Sequence, residues 1–147
     1  AHKNEGNVFA DDQGGLALRE AFALCVPREA IVESLIAPIN PDATVMNARE
    51  VLPFQDTYQE VVDAAYDGRF DQVDIAAATA KFEEAGVEGP VDVRIGYFAG
   101  NQRRAETVQA IQASCAEVGF NVTDASSSTF FDVELVNGDY EVALFAW

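Results

Sequence analysis

Histidine is almost missing from this chain: there is one, His2, in 147 residues. Zinc sites of the usual His and Cys spacing are therefore excluded. A Ser-His-Asp or Cys-His catalytic site would have to use that one residue at a polar chain start, so no catalytic residue is assigned. Basic residues are also scarce, with 9 Lys and Arg against 25 Asp and Glu. Binding to a phosphate backbone needs clustered Lys and Arg, so nucleic acid is not a partner, and an anionic membrane surface is disfavoured for the same reason. No apolar run approaches the roughly 20 residues that span a bilayer. Neither GxxxxGK[ST] nor GxGxxG occurs, which removes the common nucleotide loops, and no cofactor is expected. The start, Ala1-His2-Lys3-Asn4-Glu5-Gly6, lacks an initiator Met and the apolar stretch of a signal peptide. The sequence stops at Trp147 inside an apolar run, so both ends are expected to be cuts in a longer chain.

What is present suits a folded domain. About half the residues are apolar (49%), and aromatics account for 10%. A chain of this length fits one domain over 1–147 and can bury roughly 70% of its unfolded surface. The acidic excess reads first as solubility.

Periodicity places the elements. Val8-Phe9-Ala10 reads as a short edge strand. After Gly14-Gly15, the residues Leu18, Ala21, Phe22 and Cys25 recur at one helical face. Pro27 suits the first position of a second helix. Residues 36–54, broken by Pro38, Pro41 and Pro53, read as a long irregular loop. Helical spacing returns from Gln55 to Ala65. Asp74 is a good N-cap for a helix over Ile75–Ala85, and Gly86 a good stop. Val91, Val93, Ile95 and Tyr97 alternate with polar residues, as in a strand with one buried face. A helix follows from Gln102 to Val118, and Phe120-Asn121-Val122 begins the next strand. Such a βαβ unit implies parallel strands. Ser126 to Thr129 reads as a loop and helix cap, Phe130 to Val136 as a short helix, and Tyr140 to Trp147 as a buried strand. The expected fold class is α/β, with a mixed, mainly parallel sheet flanked by helices.

Candidate chemistry is sparse. Asp56, Glu60, Asp63, Asp67, Asp71 and Asp74 recur at helical spacing, which is a solvated face rather than a calcium loop, so no metal site is assigned. The turn at Gly96–Gly100 lies where anions bind at a helix N-terminus but lacks the glycine spacing. Cys25 and Cys115 each lie on an apolar helical stripe, and the pattern leaves two readings open: buried thiols or a disulfide. Trp147, Phe130 and Phe131 can each be packing residues. Tyr97 and Phe98 point to opposite faces, so at most one lines a cleft.

Three ordered segments resemble the peptide-type extracellular solute-binding proteins of ABC transporters. Leu18 to Val32 is similar to that family's "vRqAlalaiDRealv" run, with Pro27-Arg28 in place of Asp-Arg. Asp74 to Ala78, followed by Phe82 to Gly86, looks like "yDpekAkaLLaeAG". Val91 to Trp147 matches a strand, the Arg103-Arg104 helix, Gly119-Phe120-Asn121-Val122, and a terminal strand resembling "yd..l..gW", with Glu141 for Asp and Ala146 for Gly. The resemblance implies a fragment of the second lobe of a type II periplasmic-binding-protein-like fold. It also implies a non-catalytic, monomeric substrate-binding component of an ABC importer. Such a protein closes two lobes on a peptide or similar small solute and delivers it to a membrane permease. By position, Trp147 would contact ligand, as would the loop-helix residues Ser128, Thr129 and Phe130. The acidic residue that often holds a peptide's amino group would fall beyond Trp147. Export, implied by the same resemblance, favours a Cys25–Cys115 disulfide, and paired cysteines look like a feature of actinobacterial members. The implied location is extracellular, as a tethered lipoprotein, or periplasmic. The competing readings are a small carboxylate-using α/β hydrolase or transferase, or a structural module.

Overall fold

The structure is a computed structural model describing residues 6–145. Helix α1 (Gly15–Cys25) begins where Gly14 takes φ 119, a conformation only glycine adopts readily. Its stripe of Leu18, Ala21, Phe22 and Cys25 is buried, as the spacing requires. Helix α2 (Arg28–Ile31) widens into a π-helical turn, Val32–Ile36. Residues 37–57 then carry neither helix nor strand. Helix α3 (Tyr58–Ala65) is short and has no fully buried residue. Helix α4 (Ile75–Glu84) is capped by the Asp74 carboxylate, which accepts from the Ala77 N–H at 2.8 Å. Its buried Ala78 and Phe82 face α1.

Strand β1 (Val91–Gly96) leads to helix α5 (Gln102–Cys115), capped by Asn101 through the Arg104 N–H at 3.1 Å. Strand β2 (Phe120–Asp124), a single turn α6 (Glu134–Asn137) and strand β3 (Val142–Ala143) complete the described residues. The sheet order is β2-β1-β3, and both pairings are parallel. The expected α/β class with a parallel sheet flanked by helices is what forms.

Behind the sheet, the rings of Phe22 and Phe82 meet Phe120 edge-on, with centroids at 5.3 and 5.1 Å. Phe9 joins them 5.4 Å from Phe22. Edge-to-face pairs of this kind add about 0.5–1.5 kcal/mol beyond the area they bury. A disulfide between Cys25 and Cys115 ties the last turn of α1 to the last turn of α5.

Several expectations change. Residues 8–10 form turns, not an edge strand. Asn7 organises them: its Oδ1 accepts the Phe9 N–H at 3.0 Å and its Nδ2 donates to the Tyr140 carbonyl at 3.2 Å. Arg19 Nη1 holds the Phe9 carbonyl at 2.6 Å, so Phe9 is driven into the core with no exposure. The helix expected from Gln55 begins at Tyr58, and the one expected over 130–136 shrinks to Glu134–Asn137. The terminal strand is short among the described residues because β1 offers it only Ile95 and Gly96 as partners.

The acidic run is not one helical face, because α3 ends at Ala65. Asp67 pairs with Arg69, Asp71 joins an arginine cluster, and Asp74 caps α4. That cluster centres on Arg28, which donates to the Phe70 carbonyl, to Asn47 Oδ1 at 3.2 Å and to the Tyr66 hydroxyl at 2.9 Å. It pins the irregular segment to the 66–72 loop.

The disulfide closes a long loop, with a sequence separation of 90. In the chain-entropy model, its loss destabilises the fold by about 4.6 kcal/mol. Cys25→Ala/Cys115→Ala is expected to lower the urea midpoint accordingly. Alkylation of native protein without reductant is expected to label neither sulfur, and free labelling of both would contradict the pairing.

Candidate functional site

In α/β sheets, ligands collect beyond the carboxyl ends of the strands. At the end of β1 the chain alternates. Tyr97 turns inward and is 2% exposed, while Phe98 turns outward and is 45% exposed. The Tyr97 hydroxyl donates to Asp124 Oδ2 at 2.6 Å, at the end of β2. Burial, helped by that carboxylate, pushes the Tyr97 phenol above its ordinary range. Partial burial alone would raise Asp124. The bonds donated by Tyr97 and the Ser126 N–H outweigh it and hold the carboxyl below its usual range.

The two loops beyond the strands stay registered. Phe98 and Ser127 form a parallel bridge, with Ala99 N–H on the Ser127 carbonyl and Ser127 N–H on the Tyr97 carbonyl, each at 3.0 Å. Next, Phe130 is fully enclosed against Gly96, where any Cβ would come within 2.2 Å of its ring. Glycine at 96 is therefore required by the close approach of the ring. Phe131 faces out, 42% exposed, and its ring lies 6.3 Å from Phe98 at an interplanar angle of 12°. The Ser127 and Thr129 hydroxyls lie 2.9 Å apart, and Thr129 Oγ1 reaches Glu134 at 3.1 and 3.2 Å. Hydrogen bonding from Ser127, and secondarily from Thr129, keeps the Glu134 carboxyl below its usual range.

The third strand is fixed by Glu141, which is 7% exposed. Its carboxylate accepts from the Arg94 backbone N–H at 2.7 Å and from Nε and Nη2 at 2.9 and 2.8 Å. The Glu141 N–H returns a bond to the Arg94 carbonyl at 3.1 Å, and Leu144 N–H reaches the Gly96 carbonyl at 2.9 Å. All three strands thus end at one edge.

The expected contact residues are distributed unevenly. Ser128 and Thr129 are exposed on the β2–α6 loop. Phe130 lies beneath that surface and supports it, and the outward ring beside it is Phe131. Trp147, like His2, lies outside the described residues. The stacking of Phe98 on Phe131 escaped sequence reasoning, although the out-facing parity of Phe98 was visible. Elsewhere, a crevice of about 640 Å³ opens between the π-helical turn and the irregular segment, lined by Glu29, Glu33, Asn47 and Asp71 among others. Among the described residues, no His, Cys, Asp and Glu group could hold a metal ion. The displaced carboxyls, Asp67, Asp124 and Glu134, all move down, the opposite of what a general acid needs.

Residues 3–147 match the family described as bacterial extracellular solute-binding proteins, family 5 middle. An uncharacterized lipoprotein of Mycobacterium tuberculosis is 36% identical over 140 residues, covering 93% of this chain and 23% of the relative. A lipoprotein of Mycobacterium leprae is 30% identical over 116 residues, covering 79% of this chain and 19% of the relative. The chain thus spans about a quarter or less of the curated relatives it matches. Two solved structures share the fold. The periplasmic EDTA-binding protein EppA has a TM-score of 0.65 at 18% identity, covering 84% of this chain and 25% of its own. A putative peptide-binding protein, AppA from Clostridium difficile, has a TM-score of 0.61 at 19% identity, covering 84% and 24%. Among the described residues no helix is long and apolar enough to cross a membrane.

The Tyr97–Asp124 bond carries a signed pH dependence. Tyr97 titrates above the ordinary 10.0, so its stabilisation is complete below that pH and is lost as pH rises through the folded value. Asp124 titrates below the ordinary 3.8, so its contribution is present above that pH and is lost as pH falls through the folded value. Tyr97→Phe is expected to remove the alkaline dependence and to weaken the acid one, since the Ser126 N–H still holds Asp124. The tyrosinate absorbance of wild type minus variant should show one phenol titrating late. A difference band titrating at the ordinary position would contradict the assignment.

Proposed function

Because this chain belongs to the bacterial extracellular solute-binding proteins of family 5, we propose that it forms part of the second lobe of a non-catalytic, substrate-binding component of an ABC importer. The whole protein closes two lobes on a peptide or a similar small solute and hands it to a membrane permease. It works as a monomer without a cofactor. It is tethered outside the membrane as a lipoprotein, in keeping with its mycobacterial relatives.

One observation carries this reading: the carboxyl edge of the parallel sheet presents Phe98, Phe131 and the hydroxyls of Ser127 and Thr129 on two registered loops. Solute sites combine apolar walls with a few placed polar groups and need no reactive side chain. Ser128 and Thr129 are the contacts this edge supplies, and Trp147, given the same role by the family resemblance, lies outside the described residues. Phe130 supports them from below. The downward shifts of Asp124 and Glu134 weigh against a carboxylate hydrolase.

Calorimetry of the full-length protein against a mixture of short peptides is expected to show saturable binding without product formation. The 147-residue chain alone is expected to bind poorly, since half the cleft is absent. Micromolar binding by this chain alone, or turnover by the full-length protein, would contradict the proposal.

A further inference from the structure

The stretch between the π-helical turn and α3 is built differently from the rest of the chain. Pro38, Pro41 and Pro53 bring no N–H. Residues 37–57 form neither helix nor strand, and none of them is buried. The middle of the stretch is held least. From Thr44 to Val51, one backbone group is hydrogen-bonded among the described residues: the Asn47 N–H, which donates to the Tyr58 hydroxyl at 2.9 Å. The Asn47 side chain, bonded to Arg28 and Asp71, tethers the amino side of this stretch. Drawing residues 48–51 out as an extended strand therefore breaks no backbone bond of their own, whereas opening a helix or strand breaks a ladder.

Arg49 sits within this stretch. Its side chain is 94% exposed and pairs at 3.2 Å with Glu50, itself 82% exposed. A pair so open to water restrains little. The other described cations are placed differently. Arg19, Arg28, Lys81, Arg103 and Arg104 lie in helices, and Arg94 lies in β1. Arg69, on the loop before α4, is clasped by both Asp67 and Glu20.

The disulfide gives the position its consequence. Cys25 precedes Arg49 and Cys115 follows it, so the bridge spans the open stretch. A cut after Arg49 leaves α1 and α2 covalently joined to α5, and Phe22 stays against Phe120. Docking of α1 remains intramolecular, which keeps its effective concentration high.

We infer that Arg49–Glu50 is a cleavage site for an arginine-specific protease of the trypsin class, and that the Cys25–Cys115 disulfide holds the cut domain together. An enzyme of that class takes arginine into a pocket with an aspartate in it, and nicking concentrates at exposed loops. The step is hydrolysis. The bond from the Arg49 carbonyl carbon to the Glu50 nitrogen breaks, water gives its hydroxyl to the new Arg49 carboxyl, and its proton goes to the new Glu50 amine. The inference stands apart from the solute reading above.

The test is limited digestion of the full-length protein with trypsin, followed by mass spectrometry with and without reductant. Within residues 6–145, the first new amino terminus is expected to be Glu50-Val51-Leu52-Pro53. Arg49→Gln, a change at an exposed side chain, is expected to slow that cut by at least about a hundredfold, while Arg69→Gln leaves it unchanged. Without reductant, the piece ending at Arg49 and the piece beginning at Glu50 are expected to stay linked, and the cut protein to keep a cooperative thermal transition. Reductant under denaturing conditions is expected to separate them. First cleavage at Arg69 or another cation, or an intact Arg49–Glu50 bond after the rest of the protein is digested, overturns the site. Pieces that separate without reductant, or loss of the thermal transition on cutting, overturn the role given to the disulfide.

Discussion

The Glu141–Arg94 contact is the constraint on which the carboxyl edge of the sheet depends. A carboxylate that is 7% exposed accepts from one backbone N–H and two guanidinium N–H groups of the same residue. Breaking a buried pair of this kind costs about 3–5 kcal/mol, and the lower end applies because the Arg94 side chain remains 47% exposed. The bond does more than stabilise. It seats the chain alongside β1, so that Ile95 and Gly96 pair with Val142 and Ala143 and the third strand runs parallel to the other two. Leu144 is then held at the Gly96 carbonyl. Without this clip, two residues of strand pairing would have to place the terminal segment unaided.

The remaining stability lies elsewhere, which separates scaffold from site. The aromatic cluster of Phe9, Phe22, Phe82 and Phe120 and the Cys25–Cys115 bridge join α1, α4, α5 and the sheet. None of these groups reaches the carboxyl edge. The loops at that edge are instead set by local devices: the Phe98–Ser127 bridge, the Tyr97–Asp124 bond, and Phe130 seated on Gly96. A rigid base with short, individually anchored loops lets contact residues vary without disturbing the core, and it suits a fold whose relatives include proteins named for EDTA binding and for peptide binding.

Much of the scaffold was legible in the residues. Leu18, Ala21, Phe22 and Cys25 fall at one helical face, Asp74 and Gly86 bracket α4, and the alternation from Val91 to Ile95 specifies a half-buried strand. These signals are local, so sequence displays them. What escaped is tertiary. Nothing near Glu141 reveals that its partner is Arg94, and nothing near Asn7 shows that it bonds to Tyr140. The placement of Phe9 in the core follows from Arg19 and Asn7 acting together, so its short apolar run looked like a strand. Arg28 gathers Asn47, Tyr66 and Phe70 across distant segments in the same way. At the site, parity told that Phe98 and Tyr97 diverge, but pairing Phe98 with Phe131 required the loops to be folded.

Solute recognition is thus proposed at one edge of one sheet, away from the acidic crevice beside the π-helical turn. Hydrogen–deuterium exchange of the full-length protein, with and without a saturating peptide mixture, tests that directly. Solute is expected to slow exchange across residues 97–104 and 126–134 while leaving the 29–47 and 71–72 segments unchanged. Protection confined to those crevice segments, with no change at the strand ends, would contradict it.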